Sequence, residues 1–260
     1  MLSLKEILPY YPESLHAFKQ FMLREYLQYK ILQILFDRPE NATRLCFLGG
    51  TSLRIVHGNQ RFSEDLDFDN TGLTEKAFES LSDQIKDELQ REGYNVEITK
   101  VIRGAYHCHI KFPGLLFAEG LSGQQAQKIL IQLDTEPQDY DFKPEMHILN
   151  KFDVFTEIPV AALSLTLAQK FWAVLNRKRS KGRDFFDVAF LLSKKIIPDY
   201  DYLDLKAKIR DAKALKEKVL ARCANLDMKE MADDVAPFLF NSKDTKNIVL
   251  FEKLINQTEL

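Results

Sequence analysis

The fold is decided by the stretch Phe47–Asp69, FLGGTSLRIVHGNQRFSEDLDFD. A short apolar strand runs into Gly49 and Gly50, a helix is expected over Thr51–His57, and Asp65–Asp69 reads as the next strand. Alternate side chains of a strand share a face. Asp65 and Asp67 therefore point one way, and Leu66 and Phe68 point toward the core. Two like charges this close repel unless a cation stands between them. Glycines ahead of a helix let backbone approach a ligand closely, and the helix's free N–H groups face any anion placed there. Thr51 and Ser52 add hydroxyls at that end. The combination predicts phosphates at Gly49–Ser52 and a divalent metal at the two aspartates, the arrangement Mg2+ (or Mn2+) adopts when it joins carboxylates to a nucleoside triphosphate.

Outward from this motif, the spacing predicts a helix over Ser14–Phe36, a strand over Arg44–Leu48, a helix over Thr74–Arg91 with Thr74 as N-cap, and strands over Tyr94–Arg103, Tyr106–Phe112, Lys128–Glu136 and Val154–Pro159. From Ala161 the period becomes helical throughout, over Leu163–Leu175, Asp184–Lys194, Leu203–Cys223, Met228–Phe240 and Thr245–Gln257. The expectation is an α+β chain: a mixed-sheet domain over 1–159, with helices at its start, and a helical bundle over 160–260.

A third acid would complete a two-metal site. In KILIQLDTE (Lys128–Glu136), Leu130, Gln132, Asp134 and Glu136 share a face. Asp134 ends the apolar run and is the better placed; Glu136 is one pleat farther out. Such an acid would bind metal and help deprotonate an incoming hydroxyl. His107 and His109 alternate on one strand face without partners spaced to complete a metal site, and read as ordinary strand histidines. Trp172 reads as a bundle-core anchor, and the acidic residues Asp139, Asp141 and Glu145 as a surface connection.

With 45% hydrophobic residues the chain can build a packed core, and its net charge of −2 gives no global attraction to nucleic acid or membrane. Three widely spaced cysteines suit a reducing compartment and give no zinc spacing. No signal peptide is evident, and no apolar run approaches the length of a membrane helix. These features predict a cytoplasmic protein.

The run GGTSLRIVHGNQRFSEDLDFD resembles the signature of the AbiEii/AbiGii-type nucleotidyltransferases, a toxin branch of the DNA polymerase β superfamily. The resemblance rests on Gly49, Gly50, Thr51, Leu53, Arg54, Arg61, Ser63, Asp65, Asp67 and Phe68. A second segment, Leu167–Leu192, is similar to that family's lysine helix and Arg-Asp-x-x-Asp element through Lys170 and Arg183, Asp184 and Asp187. The resemblance implies a polymerase-β-like nucleotidyltransferase fold. Asp65, Asp67 and Asp134 would be its catalytic, metal-binding acids. Gly49, Gly50, Thr51, Ser52, Arg61, Ser63, Lys170, Arg183, Asp184 and Asp187 would serve nucleotide binding. Relatives of this kind include toxins of abortive-infection and toxin–antitoxin systems, some of which add nucleotides to the 3′ end of tRNA, so tRNA and a separately encoded antitoxin are the implied partners. The residues themselves leave other readings open. For Lys170 one is a lysine snorkelling to solvent. For Arg183–Asp184 it is a helix cap with an ion pair. For the basic run Arg177–Arg183 it is a solvated loop rather than a polynucleotide contact. Transfer to a protein or small molecule, or binding of NTP or RNA without turnover, are the competing functions.

Overall fold

A computed structural model of the chain describes residues 1–260. The elements in order are α1 (Leu4–Ile7), α2 (Lys19–Phe36), α3 (Pro39–Ala42), β1 (Leu45–Leu48), α4 (Gly49–Ile55), β2 (Leu66–Asn70), α5 (Glu75–Arg91), β3 (Glu97–Arg103), β4 (Ala105–Pro113), α6 (Leu115–Ala118), β5 (Lys128–Glu136), β6 (Glu145–Lys151) and β7 (Val154–Val160). Helices follow without further strands: α7 (Leu163–Asn176), α8 (Gly182–Ser193), α9 (Tyr200–Ala207), α10 (Ala212–Cys223), α11 (Met228–Val235), α12 (Lys246–Val249) and α13 (Phe251–Gln257). The class is α+β. No helix is long and apolar enough to cross a membrane.

Two compact units form. The first holds Met1–His57 and Phe62–Val160; the second holds Ala161–Leu260 together with Gly58–Arg61. The expected boundary at residue 159 placed the Gly58–Arg61 segment wholly with the sheet. The structure instead builds it into the helical unit, where Arg61 makes a β-bridge with Leu239 and Phe240 N–H donates to the Gln60 carbonyl at 3.1 Å.

In the first unit all strands join one sheet in the order β3-β4-β5-β2-β1-β7-β6. The β2–β5 and β1–β7 pairs are parallel and the other neighbours antiparallel. Alternation decides the faces: in β5, Ile129, Ile131 and Leu133 are buried while Gln132 and Asp134 are half-buried on the other face. Helix α5 buries Phe78, Leu81, Ile85 and Leu89, an apolar stripe at helical spacing, and Thr74 caps it by accepting the Ala77 N–H at 3.3 Å. Strand β6 begins at Glu145, the last of the residues expected to form an acidic surface connection. It pairs along its length with β7 through a turn at Phe152, whose φ is +61°.

Helix α2 fixes the motif from behind. It begins at Lys19 rather than Ser14, because Glu13–Phe18 coils more tightly as a 3-10 turn. Its Glu25, only 2% exposed, accepts from Arg54 Nε at 2.7 Å, Arg54 Nη2 at 3.1 Å, Lys151 Nζ at 2.8 Å and the Tyr11 hydroxyl at 2.9 Å. Burial raises the Glu25 pKa, but the Arg54 and Lys151 charges more than reverse this and hold it below the usual carboxylate range. A buried carboxylate so paired ties α4, through Arg54, to α2. Gln28, also buried, donates to the Ser63 and Glu64 carbonyls at 3.1 and 2.9 Å, clamping the segment that leads into Asp65.

In the helical unit, the single helix expected over Leu203–Cys223 is broken. Lys208 turns left-handed at φ +55°, and Asp211 then caps α10 through the Ala214 N–H at 2.8 Å. Trp172 is 38% exposed, so it does not anchor the core; Leu165, Leu167, Phe171 and Val174 of the same helix do.

Candidate active site

The glycine pair opens α4 directly after β1, two residues earlier than expected. Gly49 has φ +80°, and a Cβ built there would collide with the Asp67 carboxylate. The positive φ and the close approach together account for a glycine at this position. Thr51 and Ser52 are buried, and the Thr51 hydroxyl donates to the Asp65 carbonyl. The Thr51 hydroxyl, expected to face a phosphate, here fastens α4 to the Asp65 backbone. Asp65 lies one residue before β2 rather than on it.

Sheet register aligns the acids. Leu48 stands opposite Asp67 in the antiparallel β1–β2 pair, Asp67 opposite Asp134 in the parallel β2–β5 pair, and Asp134 opposite His107 in the antiparallel β5–β4 pair. One row across four strands thus carries Asp67, Asp134 and His107. A cavity of about 140 Å³ opens on this row, lined by Leu48, Asp67, His107, Asp134, Glu136 and Gln138 among others. Asp134 Oδ1 lies 2.7 Å from His107 Nδ1 and 3.0 Å from Gln132 Nε2, and its Oδ2 accepts from Gln132 Nε2 at 2.8 Å. Asp69, buried on the next pleat, accepts the Gln138 N–H at 2.8 Å. Glu136 pairs in register with Asp69 rather than Asp67, which leaves Asp134 as the third acid on the motif's row.

Carboxylate oxygens in register on neighbouring strands, beside a glycine that leaves no space for a Cβ, are the donor chemistry of a hard divalent cation. No three His, Cys, Asp or Glu side chains converge closely enough to form an ion site as they stand. The donors therefore fit in kind and in row, and Asp134 is engaged by His107 and Gln132. His107, expected to be an ordinary strand histidine, reaches its partner only through the register of a β-hairpin and its neighbouring strand.

The second segment builds something different within the helical unit. Arg61 and Asp187 are 1% and 0% exposed, and Asn59 Nδ2 adds a third donor to Asp187 at 2.8 Å. Lys170 Nζ lies 3.0 Å from Asp184 Oδ1 and 2.8 Å from Asp187 Oδ2. Arg177 Nε sits 2.9 Å from Asp184 Oδ2 as an ion pair without hydrogen-bond alignment. Burial pushes the Asp187 carboxyl up, but Arg61 and Lys170 outweigh it and bring it down to about 2. The same carboxylates raise the Lys170 ammonium despite its burial. Lys170 is thus neither snorkelling nor a free cation, and Arg61, Lys170, Asp184 and Asp187 satisfy one another. Arg183 lies half-buried at the start of α8, and Ser63 lies half-buried in the clamped segment of the first unit.

Solved structures place this architecture among known folds. JHP933 from Helicobacter pylori superposes with a TM-score of 0.57 at 17% identity, covering 91% of this chain and 90% of its own. A second H. pylori chain gives 0.56 at 17% identity, covering 92% and 95%. No curated protein matches the chain. One family does, described as the nucleotidyl transferase AbiEii toxin of a type IV toxin–antitoxin system, over residues 30–250. With the glycine turn, the aligned acids and this match over most of its length, the chain belongs to the AbiEii family of toxin nucleotidyltransferases.

Proposed function

We propose that the chain transfers a nucleotidyl group from an NTP to a hydroxyl at the 3′ end of tRNA, and that this arrests growth until a separately encoded antitoxin, the partner its family implies, counters it. The observation that carries this reading is the register that sets Asp67 beside Asp134 over a cavity that both line, with Gly49 packed against the Asp67 carboxylate. Asp65 and Asp67, with Asp134, would hold Mg2+, which when bound offsets charge on the triphosphate oxygens. The acceptor hydroxyl passes its proton to Asp134 as its oxygen bonds to the α-phosphorus. The bond from that phosphorus to the bridging oxygen breaks, and pyrophosphate leaves. Fixing Asp67 and Asp134 on strands positions them without reorganisation during the reaction. The exposed Lys178 and Arg179, in the loop between α7 and α8, support a polyanionic acceptor.

The test incubates the protein with each α-labelled ribonucleoside triphosphate, Mg2+ and total tRNA, and separately with cell protein. Label on tRNA that disappears in Asp65→Asn and Asp67→Asn, both folded by circular dichroism, is the expected result. Label on protein instead, or growth arrest that persists in both variants, would overturn the tRNA reading or the catalytic one respectively.

A further inference from the structure

We infer that His107 is a positioning residue for the transfer site: its Nδ1–H fixes the Asp134 carboxylate and selects which oxygen meets the acceptor hydroxyl. This rests on the nucleotidyl-transfer reading of the same row of residues. Asp67 and Asp134 stand directly opposite each other on neighbouring strands, where like charges repel. Left without donors, Asp134 would relieve that repulsion by rotating. Two donors on its own side of the row prevent this. His107, from β4, lies 2.7 Å from Oδ1, and Gln132, two residues back on the same face of β5, reaches both oxygens at 3.0 and 2.8 Å. An ionised carboxylate only accepts, so the Nδ1 facing it carries the proton. Oδ1 then receives two donors and Oδ2 one, which leaves Oδ2 with the greater remaining capacity to accept a proton from a hydroxyl in the cavity. His107 and Asp134 both line that cavity and are both partly exposed to it, so the pair belongs to the site rather than to the core. Partners that orient an active-site ligand typically change activity by 10–100-fold when removed.

The experiment compares wild type, His107→Leu, His107→Asn and Asp67→Asn for NTP-dependent transfer, with folding checked by thermal melting. Asparagine places an amide donor close to the position of Nδ1; leucine removes it. His107→Leu should lose 10–100-fold in kcat with KM for the NTP moving less than about threefold, and His107→Asn should recover to within about threefold of wild type. Should His107→Leu not fold, His107→Gln, which moves the donor away from Nδ1, replaces it with the same expected loss. An unchanged kcat in His107→Leu, or an Asn variant as impaired as the Leu variant, overturns the inference. Transfer that survives Asp67→Asn overturns the underlying reading instead. One readout is independent of turnover: long-range 1H–15N spectra should show His107 protonated at Nδ1 in wild type and no longer fixed in that tautomer in Asp134→Leu. A His107 tautomer unaffected by that change also overturns the inference.

Discussion

Arg61 and Asp187 meet through a two-pronged contact, Nε to Oδ1 at 2.7 Å and Nη2 to Oδ2 at 2.6 Å, with neither side chain open to solvent. Removing one partner of a buried pair strands the other charge in a low-dielectric interior, which typically costs about 3–5 kcal/mol. Arg61→Ala and Asp187→Ala should each lower the unfolding free energy by about that amount in urea titrations. The double variant should lose much less than the sum of the two.

The same pair gives stability a pH dependence. The Asp187 carboxyl is held at about 2 in the folded chain against an ordinary 3.8, so the folded state favours the ionised form. Its contribution is complete above the ordinary value and is lost as pH falls through about 2. Urea midpoints followed from about pH 5 downward should fall more steeply in wild type than in Asp187→Asn, which has no proton to gain there.

Gly49 and Gly104 share a positive φ, +80° and +82°, but have different surroundings. A Cβ at Gly104 meets nothing within 4 Å, whereas at Gly49 it meets the Asp67 carboxylate. Gly104→Ala should cost roughly 1–2 kcal/mol of backbone strain and leave transfer intact. Gly49→Ala should carry strain of that kind and also displace Asp67, lowering the transfer rate by about 100-fold or more. Parallel urea and rate measurements on the two variants separate strain from displacement.

Thr51 ties α4 to the Asp65 backbone through its hydroxyl. Thr51→Val keeps the shape and removes the donor, a loss of about 0.5–1.5 kcal/mol for the hydrogen bond; Thr51→Ser should retain most of that energy. Thermal melting of the two variants checks the contrast, and a Ser variant as unstable as the Val variant would count against the hydrogen bond.

Much of this was legible in the sequence because it depends on local period. The limits of β5 follow from the alternation in KILIQLDTE, the cap of α5 from Thr74, and the apolar stripe of α7 from its helical spacing. What sequence left hidden depends on pairings between distant positions. Asp134 and His107 are joined by strand register, and Gln28 meets Ser63 through the packing of a helix against a loop. Strand β6 has no clear alternation in EMHILNK, and its identity comes from β7, which it pairs with throughout. Arg61, Lys170, Asp184 and Asp187 have residue types that suit either phosphate binding or mutual neutralisation, and only their burial decides that they pair with one another.

The lodging of Gly58–Arg61 in the helical unit also sets a timetable for synthesis. Arg61 and the aspartate that neutralises it are separated by 126 residues of chain. At ribosomal speeds of about 5–20 residues per second, the arginine leaves the exit tunnel roughly 6–25 s before its counter-charge does. During that interval the sequence between α4 and β2 has no helical unit to enter. The glycine turn and the strand bearing Asp67 therefore flank a segment that stays unanchored until most of the protein has been made. A toxin assembled this way acquires its finished motif late in translation, and a ribosome that stalls or terminates before Asp187 releases a chain in which Arg61 never finds its partner.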